Sequence, residues 1–150
     1  MTQAARQTVL KDVMVPMRDG VRLAADVYLP APADGGEPQD LPALLTRTPY
    51  SKDAAAAVPA DPQMARPGMA DFGHYFASHG YAVVVQDVRG RYKSEGTWHM
   101  LTDDANDGVD TCAWIGRQAW SNGSVGMFGT SYPGGLQHIV ALAGLPSSKR

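Results

Sequence analysis

Apolar and polar positions follow two rhythms along this chain, one of period two and one close to 3.6. Residues 8–17, TVLKDVMVPM, read as an extended segment. The Arg-Asp-Gly at 18–20 is a turn signal leading into VRLAADVYLP, where apolar residues roughly alternate, so an antiparallel N-terminal hairpin is expected. APADGGEPQDL at 31–41, rich in Pro, Gly and Asp, must be a surface loop. PALLTRT at 42–48 is too brief for a helix, and its consecutive Ala43, Leu44 and Leu45 point to a strand buried on both faces. Residues 49–68 read as irregular.

The helical rhythm begins at Met69, with Phe72, Tyr75 and Phe76 at matching spacing and Gly80 as a stop. YAVVVQDV follows as a β-branched run bounded by turn residues, the mark of a central parallel strand. After a loop over 89–101, TDDANDG opens a second helix in which Thr102 or Asp103 can cap and early carboxylates suit the positive end. That helix runs through Val109, Cys112, Ala113 and Ile115 to about Gln118. SNG at 121–123 reads as a turn, SVGMFG as a last short strand and LQHIVALAGL as a last apolar helix.

Strands alternating with helices define an α/β fold with right-handed crossovers and a mostly parallel sheet covered on both faces. In such sheets the site lies at the carboxyl ends of the strands, which places the loops holding Tyr50, Arg89 and Ser131 there. The length of 150 residues fits one domain rather than two. A net charge of −2 without a basic stripe argues against a nucleic-acid partner. Cys112 is the one cysteine, so no internal disulfide forms and a reducing compartment fits. No apolar run approaches the ~20 residues of a membrane span, and the start lacks the layout of a signal peptide. A cytoplasmic protein without membrane contact is expected.

The stretch richest in chemistry is GMFGTSYPGG at 126–135. As a phosphate loop it has the G-x-x-x-x-G spacing at Gly129 and Gly134, but Gly135 and Leu136 stand where Lys and Ser or Thr are needed. The dinucleotide pattern G-x-G-x-x-G is absent, and no Asp or Glu follows Asp110 to bind a ribose. No cofactor and no metal are expected. As a nucleophile elbow the stretch is coherent: small neighbours give a strained strand-to-helix turn room to lift Ser131 over the sheet. Pro133 suits the first helical turn, and the amide of Tyr132 could face a developing oxyanion. The alternative is a plain turn in which Ser131 caps a helix.

Five ordered segments, VPMRDGVRLAADVYLP, PALLTRTPYSK, FASHGYAVVVQDVRGRYKSEG, DGVDTCAWI and NGSVGMFGTSYPGG, together resemble the X-Pro dipeptidyl-peptidase and cocaine-esterase (CocE/NonD) branch of the α/β-hydrolases. The resemblance covers nearly all of residues 13–145. It implies the N-terminal part of an α/β-hydrolase fold, with Ser131 as nucleophile. It implies an oxyanion hole made from the Tyr132 amide and the Tyr50 hydroxyl, where Tyr50 alone reads as a loop aromatic covering the core. The implied reaction is acyl transfer to water on a small-molecule ester, amide or short X-Pro peptide. Asp87, Arg89, Gly90, Ser94 and Gly96 match a family loop read as structural, shaping the pocket floor, with Asp87 paired to Arg89 or another loop donor.

An attacking serine needs a base and an orienting carboxylate, which follow it in the order acid, then His. After Ser131 the chain has only His138, seven residues along the same helix and about 10 Å away in rise. His74 and His79 read as structural, and His99 precedes the serine against the family order. Residues 1–150 are therefore expected to be the N-terminal portion of a catalytic domain. The acid, the His, a helical cap and a C-terminal β-sandwich would lie beyond Arg150, and this piece alone would be inactive. Its last strand would become an open sheet edge prone to self-association. The alternative is a non-catalytic domain that keeps the fold for binding.

Overall fold

A computed structural model describes residues 7–56, 63 and 65–144. Its elements run β1 (Thr8–Pro16), β2 (Arg22–Leu29), β3 (Leu41–Thr48), α1 (Met69–Ala77), β4 (Ala82–Asp87), α2 (Asp104–Gly116), β5 (Ser121–Met127) and α3 (Tyr132–Gly144). The strands form one five-stranded sheet in the order β1-β2-β4-β3-β5. β1 with β2 and β2 with β4 are antiparallel, whereas β3 pairs in parallel with both β4 and β5. The expected hairpin and parallel unit are thus joined in a single mixed sheet.

β4 is central and buried at every position, as its valine run requires. β2 departs from simple alternation: every residue after Arg22 is buried. The reason is coverage of both faces. On one, Val15, Leu23, Val27, Leu45, Val84 and Ile115 make the larger core with α2. On the other, Tyr28, Val83 and Val85 pack beneath Ala77 and Phe76 of α1. Tyr28 lies so close to α1 that a methyl on Gly73 would fall 2.6 Å from its ring. Tyr75, on the remaining side of α1, is exposed and stacks against Phe76 and His79.

Two local expectations are corrected. Ser-Asn-Gly at 121–123 is not a turn between elements but lies inside β5, where Leu41 faces Ser121 while Ala43 faces Val125. The turn chemistry is still present: Gly123 N–H donates to Ser121 Oγ, Ser124 N–H donates to Asn122 Oδ1, and Gly123 has φ of 87°. The strand absorbs these bonds as a bulge. At α2 the N-cap is Asp103, but its side chain makes no capping bond, and the helix ends at Gly116 rather than near Gln118. Among the described residues β5 pairs with β3 alone and so forms one sheet edge. No helix among them is long and apolar enough to cross a membrane.

Candidate active site

β5 brings the chain to the carboxyl edge of the sheet, and α3 leaves from it at Tyr132. The turn between them holds Ser131 at φ 58°, a left-handed conformation that costs a side chain about 1 kcal/mol or more. Gly129 has φ of 144°, and a methyl there would fall 2.5 Å from Pro133 Cβ. One on Gly134 would fall 3.2 Å from the Gly129 carbonyl oxygen. Strand end and helix start are therefore in contact through glycine backbone. The Ser131 carbonyl accepts from Gly135 N–H at 2.9 Å, opening the helix. Ser131 is exposed, and its hydroxyl bonds none of the amides of α3 or any other described group. The helix-cap alternative thus lacks its defining bond.

Tyr132 starts α3, so its amide belongs to the first turn, whose N–H groups have no intrahelical acceptor. Its side chain is committed elsewhere. The hydroxyl donates to Asp104 Oδ2 at 2.6 Å and accepts from Leu101 N–H at 3.2 Å. Burial pushes this phenol above its usual range, and the Asp104 carboxylate adds to the shift. Beneath lies Arg47, fully buried on β3, donating from Nε to Gln86 Oε1 at 2.8 Å and from Nη1 to the Asp104 carbonyl at 2.8 Å. Its Nη2 sits 3.5 Å from Asp104 Oδ1, so the elbow's tyrosine rests on a buried ion pair. Desolvation lowers the guanidinium's affinity for its proton, yet the neighbouring carboxylates Asp104 and Asp107 oppose that.

Tyr50 lies two residues past the end of β3, the strand beside β5 in the sheet, and is 57 % exposed. Tyr50 and Ser131 therefore leave adjacent parallel strands at the same edge, as the sequence leads one to expect, and the core-covering alternative for Tyr50 does not hold. The loop around Tyr50 is fixed by a cluster that the sequence reading missed. Lys52 Nζ is fully buried, 2.6 Å from Asp12, 2.8 Å from the equally buried Asp26 and 3.2 Å from Asp53. Lys11 closes the cluster on Asp26 and Asp53, and Lys93 on Asp12. Burial by itself would depress the Lys52 ammonium, but hydrogen bonds to Asp12 and Asp26 prevail and raise it. A signal was available: Asp26 interrupts the apolar run of β2, and a charge in such a run must be paired.

Asp87, at the end of β4, is buried and accepts from Lys52 N–H at 2.6 Å and from Lys93 N–H at 3.4 Å. Its partners are loop amides rather than Arg89, and desolvation holds its carboxyl above the usual range despite those bonds. Arg89 instead donates to Asp107 and reaches Asp19 at 2.8 Å. Ser94 Oγ donates to the Asp87 carbonyl and accepts from Ala24 N–H, while Gly90 and Gly96 have φ of 67° and 87°. This loop is a scaffold, as expected.

None of the histidines contacts Ser131 among the described residues. His74 bonds Gln7, His79 bonds the Tyr75 carbonyl, and His99 lies 3.8 Å from Asp103, beyond hydrogen-bond reach. His138 is exposed on α3. No group of three or more His, Cys, Asp or Glu side chains placed to hold a metal occurs among the described residues. Two surface clefts, of about 500 and 640 Å³, are lined by none of Ser131, Tyr50 and Tyr132.

A family profile described as X-Pro dipeptidyl-peptidase (S15 family) matches residues 19–149. Cocaine esterase of Rhodococcus sp. (strain MB1 Bresler) is 45 % identical over 143 residues, which are 95 % of this chain and 22 % of that protein. A solved α-amino acid ester hydrolase shares 35 % identity at a TM-score of 0.69, covering 91 % of this chain and 23 % of its own. A CocE/NonD family hydrolase from Staphylococcus aureus superposes at a TM-score of 0.71 with 26 % identity, over 90 % of this chain and 25 % of its own. The chain thus spans about a quarter or less of the length of these proteins.

Proposed function

The chain belongs to the S15 family of X-Pro dipeptidyl-peptidases, and we propose that it is the N-terminal portion of a serine hydrolase catalytic domain with Ser131 as nucleophile. Ser131 Oγ attacks the substrate carbonyl carbon while its proton passes to a histidine, oriented by a carboxylate, from sequence outside residues 1–150. The Tyr50 hydroxyl and the Tyr132 amide donate to the resulting oxyanion. Collapse expels the protonated leaving group, and water then hydrolyses the acyl-serine. Residues 1–150 alone lack that base and are inactive. The substrate is a small ester, amide or X-Pro peptide, with an ester favoured by the names of the cocaine esterase and the α-amino acid ester hydrolase.

The observation that carries this reading is a serine held in a left-handed turn between a sheet strand and a helix, with its hydroxyl unbonded and Gly129, two residues before it, packed too closely for any side chain. A fluorophosphonate probe applied to the full-length protein should label Ser131, and Ser131→Ala should abolish labelling. Labelling that survives the substitution, or an unlabelled full-length protein, overturns the reading and leaves a binding domain. The open edge of β5 should also make the isolated residues 1–150 self-associate.

A further inference from the structure

The segment from Pro49 to Ala54 is unusually restrained for a surface loop. Pro49 carbonyl accepts from Arg91 Nε at 3.1 Å, and Tyr50 N–H donates to Thr48 Oγ1 at 3.0 Å. Ser51 has φ of 84°, and its carbonyl and hydroxyl accept from Ala54 and Asp53 N–H. Lys52 is anchored twice: its amide on Asp87 at the end of β4, its ammonium on Asp12 and Asp26 of the β1–β2 hairpin. Asp12 reaches inward from a register shift in β1, where its φ is 54°. In this tied segment the Tyr50 side chain is the exposed part, and its phenol has no partner among the described residues.

Stability alone is a weak explanation for such a cluster, because a buried ion pair is often no better than well-packed apolar side chains. What it adds is a fixed position, and the residue it fixes lies two places from the candidate oxyanion donor. We propose that Lys52 is a positioning residue for Tyr50: its buried ammonium, clamped by Asp12, Asp26 and Asp53, locks the loop so that the phenol is aimed before substrate arrives. This rests on the reading of Tyr50 as an oxyanion donor. An aimed donor stabilises the transition state more than the bound substrate, so its loosening lowers kcat and leaves KM nearly unchanged.

The test is a double-mutant cycle in the full-length protein with p-nitrophenyl acetate. Tyr50→Phe should lower kcat by roughly 10² to 10³, the range for one lost oxyanion donor. Lys52→Met should lower kcat by roughly tenfold to a hundredfold with KM within about twofold, and should cost nothing further in the Tyr50→Phe background. Asp12→Asn, which removes one outer clamp, should give the same pattern at several-fold should Lys52→Met fail to fold. An equal loss in both backgrounds overturns the proposal, since Lys52 then acts elsewhere. A silent Tyr50→Phe overturns the oxyanion assignment instead. The anchor is then read by amide exchange at residues 50–54, where protection equal to wild type in Lys52→Met refutes it.

Discussion

The Tyr50 loop and the Ser131 turn leave neighbouring strands at one sheet edge, yet they are held by opposite means. Around Tyr50 the chain is fixed by charge: a buried ammonium, three carboxylates and the buried Asp87 drawing in two loop amides. Around Ser131 no charged group bonds the turn itself. Its shape comes from excluded volume, with Gly129 against Pro133 and Gly134 against Gly129, and from two uncharged bonds, Gln137 Nε2 to the Gly129 carbonyl and Gly135 N–H to the Ser131 carbonyl. The difference follows from what each residue presents. A phenol on a long loop has many orientations to lose, and only strong polar ties remove them. A serine on a four-residue turn is aimed by the backbone, provided nothing bulky intrudes.

The contrast can be broken from either side. Gly129→Ala should have the largest effect, destabilising by roughly 3 kcal/mol from the combined clash and strained φ, equally at low and high salt. A salt-dependent loss in denaturant unfolding would remove the steric half of the comparison. Acid should act on the other half alone. Hydrogen bonds from Lys52 and Lys93 hold Asp12 below its usual 3.8, and those from Lys11 and Lys52 do the same for Asp53. The stability they contribute is thus present above about pH 4 and lost as pH falls through the depressed values. Asp87, raised by burial, titrates earlier and with the opposite sign, relieving the fold as it protonates. Because Asp12 and Asp53 are partly exposed, screening reduces the net effect. Amide protection at residues 50–54 should hold from pH 8 to 5 and drop roughly tenfold by pH 3, while residues 132–140 of α3 change little.

The smallest effect sharpens the comparison. Tyr132→Phe removes a polar tie beneath the elbow, the hydroxyl between Asp104 and Leu101, and should cost about 1 kcal/mol in unfolding without altering labelling of Ser131. A large loss of labelling would mean that the elbow, too, depends on polar support.

The same division explains what the sequence made legible. Period and glycine placement are local, so the hairpin, the parallel strands, the helices and the strained serine could all be read from neighbouring residues. Ser-Asn-Gly misled for the converse reason, because its turn bonds are local but the pairing of Leu41 and Ala43 that surrounds them is not. The Lys52 cluster was invisible in spacing: its members come from β1, β2, the Tyr50 loop and the loop after β4, brought together only by the strand order. Arg47 and Asp26 were nevertheless conspicuous as charges inside apolar strands. A pairing requirement could be inferred for each, although not the partner.

That strand order also sets a timetable. β3 lies between β4 and β5, yet β5 is made long after β3, so one edge of an apolar strand waits through the synthesis of residues 49–120. At about 5–20 residues per second this lasts on the order of ten seconds. Contacts of such long sequence separation also close slowly. During that interval the nascent chain presents the backbone of Ala43, Leu44 and Leu45 unpaired, which makes β3 the segment where chaperone capture or misassembly on the ribosome is most to be expected.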